Sequence, residues 1–365
     1  MNSTIGGRPI HESFPDNSCS NADDDKTSVE TMFVPLVSGL NLNYQANEEV
    51  AGNIVVNESD VWDPRGIRIH IIKRASSNKT LSQIVHSLKN LDGTVVSRVH
   101  LSDSLSKDEK EKIKNKKGCL RADVQITYPR AGSSPYSSLS GSRREVEEGG
   151  ADVRDLGALS LSTISGEISV KFKSTGRAVE EEKIAYRLDT LKVAIVHGDV
   201  EVNNVIVVKK THVEIVNGQV SADLTTAGLV KVDMINGGIG LTINSAAPHS
   251  QANMALGGGN GWSPENLDVE ANAVNGLVGI TFRNHFHGHF ALESLAGSTS
   301  FTVPEGDRKT TPSNPGGKIE GWVSEDGKEP LSALPRLAVK TRIGNIKIKV
   351  QPNNNYQDTS ASYSS

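Results

Sequence analysis

The sequence predicts an all-β fold: a β-solenoid or parallel β-helix with rungs of about 20 residues, preceded by a smaller β-rich N-terminal region. Three observations predict it. Aromatic residues make up only 4% of the 365 residues while glycine is frequent, at 34. That composition suits a core of Val, Ile, Leu and Ala with glycine at the bends. Segments rich in β-branched residues recur along the chain. Above all, one pattern repeats around seven glycines: Gly166, Gly198, Gly218, Gly237, Gly276, Gly297 and Gly344.

Five residues before these glycines stand Leu161, Val193, Val213, Val232, Ala271, Leu292 and Val339. Two residues after them come Ile168, Val200, Val220, Ile239, Val278, Thr299 and Ile346. Four residues after come Val170, Val202, Ala222, Leu241, Ile280, Phe301 and Ile348. Only Thr299 breaks the apolar rule in those columns. The shortest spacings between glycines are 20, 19 and 21 residues, and the others are 32, 39 and 47. A fixed period near 20 marks stacked units that bury their apolar faces on one another. The apolar parity also switches at each glycine, so the chain must bend there for both halves to face one core, and glycine permits the bend. Asn-Gly between alternating apolar residues is equally a two-residue hairpin signal. The columns match between repeats as well as within them, which favours stacked rungs over hairpins.

The remaining elements follow in order. Residues 1–28 are polar and acidic and read as disordered. Residues 29–121 form a β-rich region with strands at 53–56, 67–72 and 94–101. The apolar spacing of "TLSQIVHSLKNL" (80–91) predicts a helix. A second helix is predicted over 104–118, where acidic residues lead and lysines trail. A strand over 122–128 opens the solenoid, which spans 122–350 with irregular insertions at 131–157, 249–266 and 304–330. The tail, 351–365, reads as loose.

Composition excludes several function classes. The net charge of −4 provides no global basic field for nucleic acid. There is no run of about 18 apolar residues to span a membrane, and no apolar h-region of a signal peptide. An intracellular location is the default. The two cysteines, Cys19 and Cys119, have neither zinc-ribbon nor thioredoxin spacing. The Gly-rich "GGGNG" at 257–261 precedes Trp262-Ser263-Pro264 rather than a helix, so it is not a dinucleotide fingerprint.

The segments "LSLSTISGEISV", "LKVAIVHGDVEV", "VEIVNGQVSADLTTAG" and "GHFALESLAGSTSFTV" resemble the adhesin-like β-solenoid domains of fungi and bacteria. Strand–Gly–strand turns and a G-x-F-x-L step, here Gly288, Phe290 and Leu292, carry the resemblance over about 122–350. It implies a domain with no established activity and, by analogy, a cell-surface location.

The expected function is a non-catalytic structural or interaction module that binds a protein or carbohydrate surface, with no cofactor. The alternative is a carbohydrate-active β-helix enzyme, a lyase or glycosidase. That needs two carboxylates about 5–10 Å apart, which Asp199 and Glu201 could supply. No catalytic residues are assigned. The candidate metal ligands are His285, His287 and His289. They alternate with Phe286, Gly288 and Phe290, so parity turns the histidines outward and the phenylalanines into the core. Shifting by the local period of 21 residues places Asp268 beside His289, where a carboxylate would orient an imidazole. The triplet is expected to bind transition metals only weakly, with none retained on purification.

Overall fold

The computed structural model describes residues 26–37, 39–46, 50–60, 63–115, 120–130, 154–172, 186–245, 266–283, 286–304, 308–314, 317–324, 328–330 and 335–351. These residues form an all-β protein whose nineteen strands belong to one hydrogen-bonded sheet, curled into a half-barrel. Among them, no helix is long and apolar enough to cross a membrane.

The N-terminal region comprises β1 (Lys26–Val34), β2 (Asn41–Ala46), β3 (Ile54–Glu58), β4 (Ile67–Ala75), α1 (Asn78–Leu81), β5 (Ile84–Leu91), β6 (Thr94–Leu101), α2 (Lys107–Asn115) and β7 (Leu120–Tyr128). The start of β1 corrects the disordered reading of residues 26–28. Residues 1–25, 352–365 and both cysteines lie outside the described residues. The predicted second helix is α2. A reciprocal cap starts it: Glu109 N donates to Ser106 Oγ at 3.3 Å, and Ser106 N donates to Glu109 Oε2 at 2.9 Å.

The helix predicted over 80–91 is a correction. Only one short turn, α1, precedes strand β5, which pairs antiparallel with β6. The joining residues Asp92 and Gly93 have φ of 48° and 80°, the double positive φ of a type I′ hairpin turn. Asp-Gly was the decisive local signal. The helical spacing of Leu88 and Leu91 had no core to face, for both are exposed.

Seven strand–glycine–strand units follow. β8 (Arg154–Ser165) leads through Gly166 to β9 (Ile168–Lys171), and β10 (Tyr186–His197) leads through Gly198 to β11 (Val200–Thr226). β11 itself passes through Gly218, β12 (Leu229–Asn244) through Gly237, and β13 (Asp268–Phe282) through Gly276. β14 (Gly288–Ala296) leads to β15 (Thr299–Thr302). After a hairpin, β16 (Arg308–Asn314) and β17 (Lys318–Val323), the last unit is β18 (Arg336–Ile343) and β19 (Ile346–Val350). The hairpin corrects the reading of 304–330 as irregular, and β8 claims 154–157 from the first insertion.

The units pair in parallel and in the register of the columns. Val213 lies between Val193 and Val232, and Val220 beside Ile239. All of these and Val200 are buried. The glycines stack so closely that a side chain cannot enter. At Gly218, with φ 149°, an added Cβ would lie 1.8 Å from the carbonyl oxygen of Gly198. The same collision recurs at every step from Gly166 to Gly297. Bend and close approach together therefore demand glycine.

The order of stacking differs from chain order. β18 pairs with β13 on one side and β14 on the other, so the last unit sits between two earlier ones. The outer edge of β14 is occupied by β17, which leaves the inner edge to β18. At the other end, β2 and β3 continue the stack in parallel beyond β8 and β9. A cluster of Tyr128, Phe172 and Tyr186, with ring centroids 5.4–5.6 Å apart, packs across that junction.

Candidate functional site

The units create a groove just before the glycine corner. In each unit the third residue before the glycine points into the core, as Ile195, Ile215 and Met234 do. The residues two and four before it have the opposite parity and face out. Six stacked units align these outward positions into one open groove of about 770 Å³.

Position two before the glycine is apolar almost throughout: Val196, Val216, Ile235, Val274 and Leu295 line the groove, with Arg342 between the last two. Ile235 is 45%, Val274 39% and Leu295 68% exposed. Val196 and Val216 are half-buried, and such an aligned, partly exposed apolar row is unusual on a protein surface. The alternation rule alone missed it, because these residues sit on the solvent parity. Its signal was present as a fourth apolar column at a fixed offset from the glycine.

Position four before the glycine is polar in every groove unit but that of Gly198, where it is Ala194. Asn272 donates to Asp233 at 2.9 Å, and Lys340 lies 3.9 Å from Glu293. Asp233 also pairs with Lys231 at 3.4 Å, and His212 Nε2 lies 3.5 Å from Asp233 and 3.2 Å from Glu214. Thus Glu214 and Asp233 bring negative charge to one half of the groove, and the other half holds Lys340, which Glu293 offsets, and Arg342. Among the described residues, Arg342 has no acidic partner within ion-pair distance.

Beside the groove the corner is held by a ladder of amides. Asn275 donates to Asn236 at 2.9 Å, Asn236 to Asn217 at 2.8 Å, and Asn217 pairs with His197 at 3.1 Å. Such ladders are what in-register stacking of identical side chains produces. The ladder stops at the unit of Gly344, where the equivalent position is the exposed Ile343.

The residues singled out from sequence are placed as follows. His285 lies outside the described residues. His287 and His289 are half-buried, while Phe286, Phe290 and Leu292 are in the core, as their parity requires. His289 ring nitrogen Nε2 lies 3.3 Å from the Pro330 carbonyl. Asp268 is not its neighbour: β18 intervenes, and Arg336 pairs in register with both. Arg336 grips Asp268 through two bonds of 2.9 Å and reaches Glu270 at 2.5 Å. Among the described residues, no three His, Cys, Asp or Glu side chains are grouped to hold a metal.

Asp199 and Glu201 are both engaged in holding strands together. Asp199 Oδ1 accepts from the backbone of Gln219 at 2.8 Å. Glu201 accepts from Lys171 and Asn203, each at 2.7 Å. The Lys171 contact leads the forces that hold the Glu201 carboxyl below its ordinary pKa, the opposite of what a general acid requires.

No protein-family profile matches this chain, and no curated protein matches it. Solved structures give distant similarity. A candidate cell adhesion protein from Clostridium sporogenes is 10% identical over 89% of this chain and 100% of its own, with a TM-score of 0.31. A candidate adhesin from Bacteroides fragilis is 10% identical over 89% of this chain and 97% of its own, at 0.29. A candidate lipid-binding protein from Parabacteroides distasonis is 8% identical over 90% and 97%, at 0.21. Similarity this distant assigns neither family nor function.

Proposed function

We propose that the seven units are rungs of a β-solenoid and that the protein is a non-catalytic interaction module whose binding face is the groove. The observation that carries this reading is the row of exposed apolar side chains, Ile235, Val274 and Leu295 foremost. Exposed apolar surface of that continuity marks contact with a partner or ligand. The occupied state of Asp199 and Glu201 supports the non-catalytic half of the reading.

Photocrosslinking in an extract of the native cell tests it. A benzophenone side chain at position 235, in the groove, is expected to give a discrete adduct. The same group at exposed Ser221, on the other limb of a unit, is expected to give none. Equal labelling at both positions, or polysaccharide cleavage that disappears in Glu201→Gln, would overturn the reading.

A further inference from the structure

We propose that the groove binds a single-chain anionic amphiphile, a long-chain carboxylate, with its hydrocarbon along the apolar row and its head group on Arg342. This rests on the reading of the groove as a binding face and adds the chemistry of what it holds.

Arg342 is the only charged member of the row. Register places it between Val274 and Leu295: the pairs Ala273–Thr341 and Asn275–Ile343 bracket it on one side, and Ser294–Thr341 and Ala296–Ile343 on the other. A guanidinium set among apolar side chains, with no acidic partner among the described residues, is suited to a carboxylate supplied by the ligand, which it can bind through two parallel hydrogen bonds. The row is also lopsided. Four apolar positions, from Val274 back to Val196, lie on one side of Arg342, and one, Leu295, lies on the other. Four steps of about 4.8 Å give the hydrocarbon about 19 Å of apolar track. Glu214 and Asp233 flank the middle of that track, beside Val216 and Ile235, and repel a head group placed there, whereas Glu293 near Arg342 is paired with Lys340, so the charge pattern favours one direction of the ligand.

Other occupants fit less well. A peptide lying along the groove presents side chains every 6.7 Å or about that, against a row spaced at about 4.8 Å, so its side chains drift out of step. Its backbone groups would also be covered by a sheet face whose own donors and acceptors are spent in the ladder, leaving them unpaired. An alkyl chain has neither a register nor a backbone to satisfy. A sugar would find no aromatic side chain in the groove lining. A second copy laid face to face would set one concave surface against another and leave the volume between them unfilled.

Isothermal titration of the full chain with sodium laurate, below its micelle concentration, tests the proposal. Dodecanol serves as the uncharged match and an acidic, apolar-rich peptide as the rival. Laurate is expected to bind one per chain, and dodecanol about tenfold more weakly or worse, the difference a charge-assisted contact makes. Arg342→Ala should bind the two equally. Ile235→Asp should bind neither while keeping its melting temperature, and Val274→Asn provides the same test should that variant fail to fold. Absence of laurate binding, equal affinity for laurate and dodecanol in the unaltered chain, or laurate binding indifferent to Arg342→Ala and Ile235→Asp would each overturn the proposal. So would peptide binding that laurate cannot displace. If laurate fails while crosslinking at position 235 succeeds, this ligand is wrong and the binding face stands; if both fail, the binding face falls too.

Discussion

The N-terminal region and the glycine units share one sheet but are held by different means. In the units, strands run parallel, and each contact is repeated from neighbour to neighbour: valine on valine, asparagine on asparagine, glycine carbonyl under glycine. In residues 26–128, β1, β4 and β5 run antiparallel to their partners, and single interactions fix the arrangement. Lys73, almost buried, pairs with Glu30. Arg121 donates to the fully buried Asp123 at 2.6 Å, and the backbone of Asn53 donates to the same oxygen at 3.0 Å. The contrast teaches that a stack tolerates no side chain at its shared corner, whereas the other region depends on a few polar keystones.

The same substitution in the two regions should therefore have unequal effects. Gly218→Ala drives a Cβ into the Gly198 carbonyl at 1.8 Å. It should cost at least about 3 kcal/mol, combining backbone strain with overpacking. Gly93→Ala, at φ 80° with nothing within 4 Å of the new carbon, should cost about 1 kcal/mol, the penalty of the left-handed backbone alone. Denaturant unfolding of both variants measures the gap, and equal losses would erase the distinction drawn here.

Asp123→Ala should come next, at about 2–3 kcal/mol, since it removes the buried oxygen that accepts from both Arg121 and the Asn53 backbone. Read by thermal unfolding, a loss below that of a surface variant would remove Asp123 from the role of keystone. A single break in the amide ladder, Asn236→Ala, should cost only about 1 kcal/mol, because the exposed neighbours regain water.

A further effect is one of pH. His86, half-buried with Nε2 2.9 Å from Ser97 Oγ, has its pKa pushed down to about 4, chiefly by burial. A histidine depressed in the folded state takes up its proton more readily when unfolded. Its contribution is complete above the ordinary value of 6.5 and declines as pH falls from there to about 4. His86→Gln should flatten the stability profile in that window and leave it unchanged above it.

The units were legible from sequence because each repeats a local rule: a glycine at the bend, apolar residues at fixed offsets, parity reversed across it. The parity of Phe286, Phe290 and Leu292 followed from the same rule. Stacking order was not legible. Nothing in the sequence near Asp268 or His289 shows that Arg336, dozens of residues further on, will lie between them. The strand over Ile84–Leu91 was obscured by a helical spacing, although Asp92-Gly93 announced its turn. The groove escaped because a search by parity treats outward apolar positions as exceptions, and only their alignment across units makes them a row.

Everything claimed for the groove depends on the unit of Gly344 lying between those of Gly276 and Gly297. With Cys19 and Cys119 replaced by serine, cysteine pairs at these outward positions test it directly. Asn272 and Lys340 are register partners, as are Lys340 and Glu293. Cysteines at 272 and 340 would stand about 4.8 Å apart, within disulfide reach. Cysteines at 272 and 293 would stand about 9.6 Å apart, two strands away. Mild oxidation should close the first pair and leave the second reduced. Closure of the 272–293 pair, with 272–340 left open, would restore chain order and contradict the placement of Arg342 in the apolar row.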